Sequence, residues 1–173
     1  NNITWDRLMN ENSVTYPCKS PNEPGEEIVF ADKFPTLNGK GKFVTASVTN
    51  PDEIPDNEYA MILTTGRQLE HWHTGAMTRK ASNLDAIEPE ASVSLSPFDI
   101  KNNNIKPGDK IKVSTRRGSV KIRVRQDEAI PKGVIFIPFC YNEAAANLLT
   151  NPALDPYGKI PEFKYCAARI DQL

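Results

Sequence analysis

Residues 110–125, KIKVSTRRGSVKIRVR, constrain the fold of this chain more than any other stretch. Apolar side chains fall on every second position, at Ile111 and Val113 and again at Val120, Ile122 and Val124. Alternate positions of an extended strand share one face, so both runs read as strands with one buried side. Gly118 stands near the reversal, and a hairpin is predicted. Lys110, Lys112, Arg116, Arg117, Lys121, Arg123 and Arg125 make the stretch strongly basic, with no acid among them. A half-buried hairpin needs a solvated outer face, and the stripe lacks aromatics on which bases could stack. It is read as a solvated face; a docking surface for another domain and a nucleic-acid-binding barrel are the alternatives.

The rest of the chain continues the strand pattern. EYAMILTT, EASVSLSP, GVIFIP and FKYCAARI each read as a strand, and EIVFADKFPTLNGKGKFVTASV as two more around a Gly-containing turn. Ser96 as N-cap and Pro97 at the first helical position start a short helix. NEAAANLL reads as another, and ITWDRLM as a third within a tail or linker over residues 1–26. About eight strands, few short helices and no βαβ rhythm predict a mainly β barrel or sandwich over residues 27–173. No internal repeat is visible. The formal charge of −1 gives no ground for general nucleic-acid binding or membrane insertion, and no apolar run reaches the roughly 20 residues a spanning helix needs. Cys18, Cys140 and Cys166 show no paired spacing, which fits free thiols in a reducing, cytoplasmic compartment. A start at Asn1 rather than Met suggests a fragment or a processed chain.

Hydrogen-bonding and stacking groups crowd into one segment, TTGRQLEHWHTGAMTR at 64–79, which holds both histidines of the chain. Gly66 lets backbone N–H groups approach a ligand without a Cβ in the way. Arg67 offers a planar fork for phosphate or a nucleobase edge. His71, Trp72 and His73 add donors and a flat face, and Thr74, Gly75, Thr78 and Arg79 continue the polar lining. A large, anionic, partly aromatic ligand would use all of these. A metal site lacks a third ligand nearby, a serine–histidine pair lacks a nucleophile motif, and Trp72 could simply fill a core. Lys164 shares its alternation with Cys166 and Ala168, a core-like face where a lysine needs an anion; Arg169 falls on the opposite face. Asn147 is a further polar residue in an apolar setting.

Several of these stretches, FPTLNGKGKFV, LTTGRQLEHWHTGAMTR, KPGDKIKVSTRRGSVKIRV and GVIFIPFCYNEAAANLLTNPALDPYGKIPEFKYCAARI, occur together in order. In this the chain resembles the C-terminal molybdopterin-dinucleotide-binding domain of the molybdenum/tungsten oxidoreductases of the dimethyl-sulfoxide-reductase superfamily, most nearly that of formate dehydrogenase catalytic subunits. The resemblance implies a double-psi β-barrel with a few short helices. It also implies a bis(molybdopterin guanine dinucleotide) cofactor, with Mo or W, shared with upstream domains of the same subunit. Cofactor contacts are implied for Thr65, Gly66, Arg67, Gln68, Leu69, Glu70, His71, Trp72, His73 and Thr74, for Asn147 and Lys164, and for Phe139 on the pterin and substrate side. The metal-ligating and catalytic residues and an iron–sulfur cluster are expected in the missing upstream part, and an electron-transfer subunit as partner. This chain alone is then expected to be inactive. The same domain of a nitrate reductase, and a double-psi barrel serving as a partner-binding module, are the alternatives.

Overall fold

The structure, a computed structural model, describes residues 2–173, which divide into two compact units with the boundary after Val48. In the first unit Thr4 caps helix α1 (Trp5–Glu11), its side chain accepting from the Arg7 amide. Arg7 is buried. Its guanidinium donates to Glu11 Oε1 at 2.8 Å, to the carbonyls of Asn2, Ser20 and Glu23, and to Cys18 Sγ. The two strands expected within 27–48 do not form among the described residues. Their composition suits a strand, yet a lone strand leaves its backbone groups unpaired; among the described residues only a local turn over Phe34–Gly39 pairs any of them.

The second unit is a closed barrel of six strands rather than about eight. These are β1 (Met61–Gly66), β2 (Ser92–Leu95), β3 (Lys110–Ser114), β4 (Ser119–Gln126), β5 (Val134–Pro138) and β6 (Cys166–Gln172), in the order β1-β5-β2-β4-β3-β6. β1 lies parallel to β5, and β2 to β4, while every other pair is antiparallel. Exchanging β1 with β4, β2 with β5 and β3 with β6 leaves this set of pairs and directions unchanged. The halves β1–β2–β3 and β4–β5–β6 are therefore one motif used twice and interleaved, which is the double-psi barrel. This repeat is invisible in the sequence because the symmetry acts on strand pairing and constrains inward-facing volume, not residue identity.

Alternation decides what fills the barrel. Ile111, Val113, Val120, Ile122 and Val124 all point inward, beside Leu63, Val93, Leu95, Ile135, Ile137 and Cys166. Each fully buried aliphatic side chain contributes roughly 1.5–3 kcal/mol. The predicted hairpin forms, with Val113 opposite Val120. Helix α2 spans Ser82–Ile87. Ser96 caps α3 (Pro97–Asn102) by accepting from the Asp99 amide. NEAAANLL is not one helix: it forms two 3-10 turns, Asn142–Ala144 and Ala146–Leu148, broken at the extended Ala145.

Candidate functional site

One rim of the barrel gathers three chain segments because of strand direction. β1 and β5 run parallel and end together, Gly66 opposite Pro138, so the segments starting at Arg67 and Phe139 leave from the same edge. β6 runs antiparallel to β1 with Leu63 opposite Cys166, which brings residues 163–165 to that edge as well. Thr65 Oγ1 donates to the Phe163 carbonyl at 2.8 Å, Lys164 Nζ donates to the Thr65 carbonyl, and the Phe139 amide donates to the Gly66 carbonyl at 3.1 Å. Gly66 is needed here, but for packing: a Cβ would collide with the Phe136 ring. The space that glycine frees is filled by protein.

Beyond Gly66 the chain folds into a short irregular loop, and residues Arg67 to His73, with Thr78 and Leu84, line a groove of about 580 Å³. Arg67 is exposed, its guanidinium carbon 5.6 Å from the Trp72 ring centroid. Trp72 is 62% exposed and Leu69 95%, so neither fills a core. Gln68 donates to Glu70 Oε2 at 2.8 Å, and that bond, with Glu70's own amide, holds the carboxyl below its usual range. His73 takes a left-handed φ of 52° and places its ring 5.3 Å from that of Phe139. Thr74 is exposed. Gly75, at φ 74°, lies where a Cβ would come within 2.8 Å of the Cys140 carbonyl oxygen, so glycine lets this loop touch the one after β5.

Two polar residues of the segment make bonds within the protein. His71 is 1% exposed and turns inward. Its Nε2–H donates to the Glu88 carbonyl at 2.8 Å, and the same oxygen accepts from Tyr141 Oη at 3.0 Å. The imidazole meets the Tyr141 ring edge-on at 5.5 Å, and its Nδ1 is buried without a partner. The ring is a pin through the loop, with only Nδ1 free to accept. Arg79 is absent from the groove lining. It pairs with Asp85 at 3.0 Å and Glu143 at 2.9 Å, donates to the Pro89 carbonyl and covers the Tyr141 ring at 4.7 Å. Burial raises the Tyr141 hydroxyl's pKa, keeping it a neutral donor. Tyr141 and Glu88 carry no motif, so their role as anchors was not legible.

Lys164 is not on a core-like face. β6 begins only at Cys166, so the alternation does not extend back to Lys164, which is exposed. Asn147 is exposed as well, its carbonyl accepting from Thr150 Oγ1 at 3.3 Å, and among the described residues no hydrogen bond ties it to Thr65, Phe139 or Lys164. The buried asparagine is Asn151. Its Nδ2 donates to Glu162 Oε2 and the Tyr165 carbonyl, each at 2.9 Å, and its amide to Cys166 Sγ at 3.2 Å, which fixes the approach to β6. Its position before Pro152, in TNPALDP, was the available signal. Cys140 and Cys166 are buried free thiols, and burial pushes both up in pKa.

Charge pairing separates this rim from the rest of the surface. Every arginine except Arg67 pairs with a carboxylate among the described residues. Lys164, at the same rim, spends its amine on a carbonyl. Among the described residues no cluster of His, Cys, Asp and Glu could hold a metal ion.

The sequence model of the molydopterin dinucleotide binding domain matches residues 61–167, which span the barrel from β1 to the start of β6. The chain belongs to this family. It is 42% identical over 171 residues to the F420-dependent formate dehydrogenase 1 subunit alpha of Methanococcus maripaludis. It is 43% identical over the same length to the F420-dependent formate dehydrogenase subunit alpha of Methanocaldococcus jannaschii. Each match takes in 99% of this chain and 25% of the relative, so the chain spans about a quarter of the length of these subunits. Acetylene hydratase from Pelobacter acetylenicus shares the fold, with a TM-score of 0.61 and 22% identity over 67% of this chain and 19% of that one.

Proposed function

We propose that this chain is the cofactor-binding part of a formate dehydrogenase catalytic subunit, and that the rim around Thr65, Phe139 and Lys164 takes part of a bis(molybdopterin guanine dinucleotide). The observation that carries the site is Arg67, the one arginine with no carboxylate among the described residues, standing in a groove beside an exposed tryptophan. The donor set fits a phosphorylated, ring-bearing group. Arg67 presents a planar fork for a pyrophosphate or a guanine edge, and Lys164 adds a second cation. Trp72 and the His73–Phe139 pair offer flat faces. His71 Nδ1 is a buried acceptor still lacking a donor, such as a ring N–H. Gln68, Leu69, Glu70 and Thr74 shape the groove, and Asn147 enters the reading only through the resemblance.

When bound, the group supplies the two-electron chemistry of formate oxidation to carbon dioxide. This chain's part is to bind it, neutralise its charge and hold the loops that cover it. The Arg79 and His71 anchors keep the 67–79 segment in one arrangement, so little ordering is left for the moment of binding. The catalytic residues, the Mo or W ligand and an iron–sulfur cluster belong to the remainder of the subunit. An electron-transfer partner follows, and the relatives' names make F420 the acceptor to assay first. We take residues 27–173 as the domain and 1–26 as its lead-in, in a cytoplasmic enzyme, which suits three free cysteines. The formate reading is preferred to nitrate because the relatives at 42–43% identity are formate dehydrogenase subunits.

Arg67→Gln in the full-length subunit tests this. A charge-assisted hydrogen bond contributes about 1.5–3 kcal/mol, so cofactor retention should weaken roughly 10- to 100-fold. Guanine nucleotide released by acid and metal per purified subunit should fall together, with the circular dichroism unchanged. Full occupancy in the variant refutes the assignment of Arg67 to the cofactor.

A further inference from the structure

Residues 28–48 expose many of their large apolar side chains. Leu37, Phe43 and Val48 are 112, 101 and 102% exposed, as open as in an extended peptide. Phe30 and Phe34 stack at 5.6 Å and, with Lys40, Lys42 and Phe43, line a groove of about 760 Å³. Large apolar side chains exposed together along one segment mark an interaction surface.

The backbone points the same way. From Gly41 to Pro55 no backbone–backbone hydrogen bond forms among the described residues. Yet FVTASV, residues 43–48, has the β-branched composition of a strand, with Val44, Ala46 and Val48 on one face. A segment that reads as a strand, exposes apolar side chains and makes no backbone pairing among the described residues is a strand waiting for an edge.

What covers it is indicated by what the relatives add. Their match takes in 99% of this chain, the 28–48 tape included, whereas the cofactor-domain match starts only at residue 61. Those subunits are about four times as long as this chain. A covalently joined surface meets the tape at high effective concentration, and an interface this apolar suits a permanent contact better than a transient one.

We propose that residues 28–48 are the seam on which this domain docks against the rest of its own catalytic subunit, with Phe43–Val48 added as a strand to a sheet edge there. The proposal rests on the chain being part of such a subunit. Its test leaves the cofactor groove untouched, so it can fail while the cofactor assignment stands.

The experiment is photo-crosslinking of the full-length subunit carrying benzoylphenylalanine at position 37 or, separately, at 43, with the linked peptides identified by mass spectrometry. Links to peptides of the same subunit outside these 173 residues, with a yield that does not change on tenfold dilution, are expected. Links only to residues 49–173, to a second copy, or to a partner subunit overturn the proposal, as does the absence of links. Amide exchange reports on the strand in the same protein: Phe43–Val48 should exchange at least 100-fold more slowly than a free peptide. Free-peptide rates there overturn the strand assignment.

Discussion

The β3–β4 hairpin and the rim at the end of β1 are both rich in cations, and they treat them in opposite ways. On the hairpin each guanidinium has an acid. Arg116 meets Asp56, Arg117 grips Glu53 with both terminal nitrogens, Arg123 meets Glu90 at 2.8 Å and Arg125 meets Glu88 at 2.6 Å. At the rim Arg67 rests against an indole and Lys164 against a carbonyl. Density of basic residues along the sequence therefore does not mark where a guanidinium lacks a carboxylate partner. The acids that neutralise the hairpin come from residues 53–90, far away in sequence, and only folding brings them together.

The largest effect should come from turning the hairpin into something like the rim. Glu53 accepts from Arg117 and from the Ala167 amide at 2.7 Å, and Arg117 also donates to the Leu149 carbonyl. Glu53→Gln leaves two partly buried guanidiniums without their shared anion, at a cost of about 2–3 kcal/mol. Urea denaturation of the chain at pH 7 would show this as a lower midpoint at unchanged slope; an unchanged midpoint would mean that solvent already screens the pair. The pH dependence has a definite sign. The Arg117 bond holds the Glu53 carboxyl below its ordinary pKa in the fold. Its contribution is complete above the unfolded value and is lost as the pH falls through the lowered folded one. The gap between wild type and variant should therefore close in acid.

How much of this was legible follows the same division. Alternation reports which side chain faces in, so the hairpin, the Ser96 cap and the apolar wall were readable from residues 92–126. Pairing between distant strands leaves no local trace, and the doubled half-motif escaped notice for that reason. At the site, Thr65, Arg67, Trp72, His73, Phe139 and Lys164 do gather at or beside one rim. The internal partners of His71 and Arg79 were not legible, because a polar side chain in a loop reads the same whether it meets a cofactor, the Glu88 carbonyl or the Asp85 carboxylate. Extrapolating β6 back to Lys164 failed because a strand's period ends where its pairing ends.

A middle-sized effect concerns the loop that carries Arg67. His71→Phe keeps the ring's bulk and its contact with Tyr141 but removes the donor to the Glu88 carbonyl, which keeps only Tyr141. Loss of one buried bond should cost about 1–2 kcal/mol. Cofactor loss should be slower than in Arg67→Gln, because the cation is still present in a loosened loop. Comparing release rates of guanine nucleotide from the two full-length variants separates the roles. If His71→Phe releases faster, the histidine meets the ligand directly through Nδ1.

Lys164→Ala should do less. The amine is exposed, so water screens its attraction, and part of its bonding already goes to Thr65. A drop in cofactor retention of about 3- to 10-fold corresponds to roughly 0.7–1.4 kcal/mol. Metal and guanine content should fall together while the urea midpoint of the chain stays in place. Falling stability with full cofactor content would make Lys164 a strut for the rim and leave Arg67 as its working cation.

The smallest effect is expected where the contrast predicts none. Arg123 and Glu90 both stand largely in water, with side chains 43 and 53% exposed, and such pairs contribute about 0–1 kcal/mol. Arg123→Gln should shift the urea midpoint barely beyond error and leave cofactor content unchanged. Because Arg67→Gln removes the same charge from the same domain, any shared loss of cofactor would point to the long-range field of the whole molecule. A loss confined to Arg67→Gln places the effect in the groove, where an unneutralised guanidinium stands within reach of a bound anion. Repeating both at about 0.5 M salt sharpens this, since exposed charges separated by more than a few ångströms are then largely screened and only a contact at hydrogen-bond distance survives.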